Sequence, residues 1–348
     1  IPTRLPDTHT ADGCVSGMPG LRQCKKCRRS ACARVGAMNP VVLVLQHMGR
    51  RATTLLPFSL LLGLLFQDIA AAARPLLMPL AVTLLMLALA RVDWNRLSAL
   101  LRRPGLAIAL SLLNLIAVPL VVWPIWQGLG LWPGLVAALC LSAMAPGIIS
   151  AATTATFLRL DSSLALLISL FTNFLVPFTL PPLALWLLGL DLKIGLLDLS
   201  LRLGLIVALA LVGAIIIRRF LGAKVAEAGP ALDGLSVVVL MIFAIPLMDG
   251  VVARAMAEPV KLGGFIAGAF AGMLLCNLVM AVSMLPILDR RIALTAGYCS
   301  GGRHNALLMA VLPVTADPDI FLFIAAVQFP IYLIPTLLQP LYRRLLPS

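Results

Sequence analysis

Ten apolar stretches run along the chain, each bounded by charge, proline or glycine: 53–70, 74–90, 105–126, 131–157, 163–190, 199–219, 232–252, 264–287, 292–313 and 320–341. Most are long enough to cross a hydrocarbon core of ~30 Å as a helix. The first two are short, and tilt or snorkelling arginines at their ends would accommodate them. Asp68 and Arg74 between them argue for two spans joined by a turn. The pattern therefore predicts an all-α polytopic membrane protein with ten transmembrane helices. One span is interrupted. Gly297 to Leu307 reads Gly-Tyr-Cys-Ser-Gly-Gly-Arg-His-Asn-Ala-Leu. Gly301 and Gly302 weaken helical hydrogen bonding, and Arg303, His304 and Asn305 follow at once. Helices in lipid carry such a group only where it faces protein, water or a ligand.

The interruption has a counterpart. Segment four contains Pro146-Gly147 and ends near Asp161, whereas segment nine contains Gly301-Gly302 and ends near Asp317. The offsets are 155 for Gly147 to Gly302, 156 for Asp161 to Asp317 and 153 for Pro177 to Pro330. Segments three and eight each contain an Asn-Leu pair, at Asn114 and Asn277. The expected arrangement is two five-helix repeats, the second inverted because five is odd. Interrupted hydrophobic segments at matching places in inverted halves are the sequence pointer to a transporter site.

Composition sharpens the class. Of 348 residues, 61% are hydrophobic and 12% charged, with a formal net charge of +13. Mean hydropathy is +1.04, and the chain lacks the charge a soluble surface needs. The basic residues gather at the ends of apolar segments, so the bilayer is the expected partner and nucleic acid is not. With the N-terminus in the cytoplasm, fourteen Lys and Arg residues fall inside, among them Arg50, Arg91, Arg218, Arg290 and Arg343. Five fall outside: Arg74, Lys193, Arg202, Arg254 and Lys261. This bias places both termini in the cytoplasm, in a cytoplasmic (inner) membrane.

Residues 1–50 are expected as a disordered, basic, Cys-containing tail ahead of a ten-span domain over 51–345. Cys24 and Cys27 could be half of a zinc site, but no second close pair of ligands with structure around it accompanies them. No cleavable signal peptide is evident. The chain begins at Ile1, and Met38 or Met48 is the expected working start.

Arg303 is the sharpest single residue. It lies about ten residues from either end of its span, too deep to snorkel at ~1.5 Å per residue. An anionic substrate held by its fork of N–H donors is one reading, and pairing with a helix carbonyl end is the other. His304 could relay a proton or serve as a hydrogen-bonding group. Gly301, Gly302, Asn305, Asn114, Ser150 and Asn277 complete the candidate substrate-binding set, since exposed backbone, amides and hydroxyls can line a cavity or bridge helices. No enzymatic constellation stands out: His-Glu-x-x-His, Gly-x-Ser-x-Gly and phosphate-loop patterns are absent, and no catalytic residue is expected.

The segment Ala-Pro-Gly-Ile-Ile-Ser-Ala-Ala-Thr-Thr beginning at Ala145, continuing to Pro177 and Leu-Trp-Leu-Leu-Gly at Gly189, resembles the bile acid:sodium symporter superfamily. Gly302-Arg303-His304-Asn305 resembles that family's second helix crossing, in a divergent bacterial-type form. The resemblance implies a core (105–190 and 264–341) rocking against a panel (53–90 and 199–252), with the fourth and ninth spans broken and crossing at the site. It also exposes departures. Ser300 stands where the family's sodium-ligating Glu falls, His304 where its Gln falls, and Ala151 and Ala152 where a Ser-Asn pair falls. Hydroxyls expected early in span five fall on Ala165 and Ser169. The remaining sodium candidates are Ser300, Ser169, Asn114 and Thr153, a thin set for a hard cation.

The expected function is secondary transport of a small organic anion by alternating access. The Arg303 guanidinium would stand in for sodium electrostatically, leaving transport facilitated or proton-linked through His304. Two alternatives stay open: a sodium-coupled, bile acid-type symporter, and a membrane sensor or binding protein that does not translocate.

Overall fold

The structure is a computed structural model that describes residues 40–50, 52–92, 104–189, 196–221, 225–312 and 317–346. The tail cysteines, Cys14, Cys24, Cys27 and Cys32, lie outside the described residues. Among the described residues the regular structure is helical, and the sole extended pairing joins Gly147 to Arg303.

The chain opens with α1 (Pro40–Arg50), α2 (Ala52–Leu65) and α3 (Gln67–Ala72), then a 3-10 turn (Arg74–Leu76) into α4 (Leu77–Ala90). The helix at Pro40–Arg50 departs from the expected tail. It packs on α11 (Val225–Leu247), where Gly234 lets the Leu45 backbone approach so closely that any Cβ would collide. The α10 helix (Leu196–Leu221) lies against α4, so these helices form one group.

The second group begins with α5 (Gly105–Leu112), a π-helical turn (Leu113–Ala117) and α6 (Val118–Gly128). It continues through α7 (Pro133–Met144), the short α8 (Ala151–Phe157) and α9 (Ser162–Leu188). After α12 (Val251–Ala257) come α13 (Pro259–Met284), α14 (Arg290–Gly301), the short α15 (Asn305–Val311), α16 (Pro318–Ala326) and α17 (Gln328–Leu345). The groups meet where α9 packs on α10 and α15 on α4.

Four described helices are long and apolar enough to cross a membrane: Gly105–Gly128, Ser162–Leu188, Leu196–Phe220 and Pro259–Met284. A pair bent by 42°, Pro318–Ile331 and Leu333–Leu345, makes a fifth when taken as one span. Phe178, Trp186 and Phe220 are exposed on such helices. Apolar surface of that kind belongs in lipid, and the protein is an integral membrane protein.

Asp161 caps α9 by accepting from Ser163 N and Leu164 N, each at 3.0 Å, and Asp317 caps α16 by accepting from Asp319 N at 2.9 Å. Both residues at this offset thus serve the same local purpose, satisfying N–H groups that a helix start leaves open.

Helices α13 and α14 run in backbone contact. A Cβ on Gly297 would sit 2.8 Å from Asn277 O, and one on Gly301 would sit 2.8 Å from Met273 O. The spacing Gly-x-x-x-Gly puts both on one face, which is how helices in lipid approach closely. Gly301→Ala should therefore cost about 1–3 kcal/mol. Gly204→Ala, where nothing lies within 4 Å, should be neutral or stabilise by up to about 1 kcal/mol. Thermal unfolding of the two purified variants checks the contrast.

Candidate functional site: a crossing of two broken helices

Proline sets the first break. Pro146 has no N–H to give and biases its predecessor away from the helical region. Ala145 is accordingly extended, at φ −65° and ψ 152°, and α7 stops at Met144. In the second break Gly301 and Gly302 are poor helix formers, and Gly302 leaves the helix at φ −76° and ψ 95°.

The two freed strands of backbone pair antiparallel. His304 N donates to Pro146 O at 2.7 Å, and Ile148 N donates to Gly302 O at 3.1 Å. The remaining groups of the first break are taken by α9. Thr172 Oγ1 accepts from Gly147 N at 3.0 Å, Asn173 Nδ2 donates to Gly147 O at 2.9 Å, and Ser169 Oγ donates to Ile148 O at 2.9 Å. The Thr172 hydroxyl proton goes back to Ile168 O at 2.8 Å, leaving its lone pairs for Gly147. Non-helical backbone persists at membrane depth only where protein satisfies it, and here it does.

Arg303 closes the arrangement from the other side and is only 3% exposed. Its Nη1 donates to Ala145 O at 2.9 Å, the carbonyl that α7 leaves open at its C-terminal end. Its Nη2 donates to Asn114 O at 3.2 Å and to Ser300 Oγ at 3.3 Å. Asn114 lies in the π-helical turn, where the widened spiral releases carbonyls from the regular ladder. A cation at a helix C-terminus is also favoured by the helix dipole. Among the described residues no carboxylate lies within ion-pair distance of Arg303. Of the two sequence readings, pairing with a carbonyl end is the one this geometry displays.

Gly301, Gly302, His304 and Asn305 sit at the crossing with Arg303, while Asn114 and Ser300 meet its guanidinium. Ser169 is there too, binding Ile148. Asn277 packs over Gly301, but its amide turns to Tyr342, with Nδ2 donating to the hydroxyl at 3.0 Å. Ser150 and Thr153 are exposed on the far side of the break. The sodium candidates are thus not gathered round one space. Among the described residues six side chains keep free hydrogen-bonding capacity in the buried interior: both ends of the Asn114 amide, Trp123 Nε1, Asn173 Oδ1, Arg303 Nε, His304 Nδ1 and Asn305 Oδ1. A cavity of about 10 Å³ beside Arg303, Asn305, Gly301 and Cys276 has room for one water-sized ligand.

A second cavity of about 330 Å³ lies between the two helix groups, lined by Arg74, Asp249 and Arg254 together with Met78, Met309 and Phe321. Sequence reasoning took Arg74 and Arg254 only as orientation signals, because nothing local links residue 74 to residues 249–254. The anchoring role of α9 was more accessible, since Ser169, Thr172 and Asn173 share one face at helical spacing.

Compared with known families and curated proteins, the chain matches no family model and no individual relative.

Thr172→Val keeps shape but leaves Gly147 N–H buried without an acceptor, so it should cost about 1–3 kcal/mol. Thr156→Val removes only an exposed bond to Ala152 O and should stay within about 0.5 kcal/mol. Melting temperatures of the two variants decide the point.

Proposed function

We propose that the protein is a secondary transporter of a small organic anion working by alternating access. In this reading it is a divergent relative of the bile acid:sodium symporters, with ten spans in two inverted repeats and both termini on the cytoplasmic side of an inner membrane. The observation that carries it is the antiparallel crossing at Gly147 and Arg303. Two helix breaks at an offset of about 155 residues meet, and their free polar groups converge in the membrane interior. Interrupted helices facing each other at a repeat interface are how secondary transporters build midplane sites. Each of the ten apolar segments is mainly helical where described, and the two that are broken at the crossing are the fourth and ninth. The large cavity between the helix groups supports alternating access, because it lies where a panel and a core would move against each other.

Coupling follows from the guanidinium. Nη1 and Nη2 are bonded to two carbonyls and a hydroxyl, neutral oxygens of the type that coordinate hard cations. Arg303 is thus a tethered cation in an oxygen cage, and a sodium ion beside it would meet a like charge in low dielectric. Transport is therefore sodium-independent. His304 offers the proton route, with Nδ1 buried and unpartnered beside the crossing.

The test is uptake into proteoliposomes of a radiolabelled organic acid selected by thermal-shift screening. Replacing sodium by choline should leave the initial rate unchanged, and a collapse of uptake would sink the sodium-independent reading. Arg303→Ala empties the cage of its fixed charge and should make melting temperature rise with sodium but not with choline.

A further inference from the structure

The Arg303 guanidinium has three nitrogens, and the fold answers two of them. Nη1 and Nη2 donate to Ala145 O, Asn114 O and Ser300 Oγ. Nε is buried with the rest of the side chain and has no hydrogen-bond partner. The oxygens that Nη1 and Nη2 meet are neutral, and among the described residues no carboxylate lies within ion-pair distance. Neutral oxygens satisfy N–H groups without cancelling the charge. A desolvated ion deep in a membrane protein is stabilised most by an opposite charge close to it.

Space for such a charge lies alongside. The cavity of about 10 Å³ is lined by Arg303, Asn305 and Ser142, with Leu139, Met273 and Phe323 among its apolar walls. Asn305 is 2% exposed, and its Oδ1 has no partner either. Two side chains, each more than nine-tenths buried, thus bring unmatched polar atoms to the border of one small cavity. Ser142 adds a hydroxyl, and the thiol of Cys276, on the same wall, lies within hydrogen-bonding reach of the guanidinium. The Asn305 amide carries two N–H donors and presents them after a half-turn of its end group. The lining therefore holds several donors and no carboxylate, around room for one water-sized ligand.

We infer that this cavity binds a single monatomic anion, with chloride as the ion its chemistry fits. The ion takes the free N–H of Arg303 Nε, and the Asn305 amide and Ser142 hydroxyl are its further donors. Size excludes carboxylates and phosphates, which bring three heavy atoms or more. A water molecule would satisfy Nε and leave the charge uncancelled. Sodium would meet a like charge. Fluoride, smaller and more strongly hydrated, loses more on leaving water than a half-apolar cavity returns, whereas chloride tolerates apolar walls. Nη1 and Nη2 keep their oxygens throughout, so the anion does not open the cage to a metal ion. The site follows from the geometry around Arg303 and stands apart from the transport reading.

The test uses the full chain in detergent, with sodium held constant and chloride exchanged for gluconate, an anion too large for the cavity. Melting temperature should rise with chloride along a saturating curve, as mass action requires of a ligand that binds the folded state. Broadening of the chloride NMR line by the protein, reversed by added bromide, reads the same binding directly. Asn305→Asp places a carboxylate beside Arg303 in nearly the same shape and should abolish the chloride response. Ser142→Ala removes one donor and should weaken chloride binding about three- to tenfold. Equal melting in chloride and gluconate, an unbroadened line, or an undiminished chloride response in folded Asn305→Asp would each overturn the site. Should Asn305→Asp fail to fold, unchanged chloride affinity in Ser142→Ala overturns it instead. Sodium is the same in every arm and no flux is read, so the outcome is separate from that of the uptake experiment.

Discussion

Two peptide hydrogen bonds across the helix breaks, His304 N to Pro146 O and Ile148 N to Gly302 O, are the constraint on which the interior of this protein rests. Each break on its own would strand donors and acceptors where lipid offers none. Brought together they satisfy part of each other, and the remainder falls to Ser169, Thr172, Asn173 and Arg303. The crossing also fixes the helices around it. Helix α9 must lie alongside the first break to supply its hydroxyls and amide, and α14 must lie close enough to α13 for Gly297 and Gly301 to touch that backbone.

Arg303 carries both the structural and the chemical consequence. A fixed charge in the membrane interior is costly unless it is answered, and here the answer is a set of neutral oxygens. Ala145 O is free because Pro146 ends α7, and Asn114 O is free because the preceding helix widens into a π turn. Three local irregularities, each unfavourable alone, are mutually satisfying. The same arrangement commits the guanidinium to two carbonyls and a hydroxyl. Helix α15, which follows the crossing, also supplies Met309 to the lining of the cavity between the helix groups.

Much was legible in the chain itself. Apolar length gave helices, since segments of this composition can satisfy their backbone in lipid only that way. Pro146 and the Gly301-Gly302 pair marked both breaks, because loss of an N–H and low helical propensity are properties of the residues. The offset of about 155 residues marked them as partners. Other features were hidden. Asn277 reads as well as Asn114 for a site, but a tyrosine 65 residues later takes its amide. The helix over Pro40–Arg50 was masked by its position beside a basic tail, although its packing on α11 depends on a glycine far along the chain. Arg74, Asp249 and Arg254 looked like ordinary charges at span ends.

The sequence by itself determined the membrane environment, the helical class, the place of both interruptions and the identity of the buried charge. These follow from hydropathy, backbone chemistry and the cost of charge in hydrocarbon, none of which needs to know the neighbours. Only the tertiary structure decided what Arg303 faces, which hydroxyls hold the unwound backbone and where two distant arginines share one cavity. Those outcomes depend on contacts between different helices, from 21 positions apart for Ser169 and Ile148 to 189 for Arg303 and Asn114, and a guanidinium binds whichever oxygens the fold leaves open beside it.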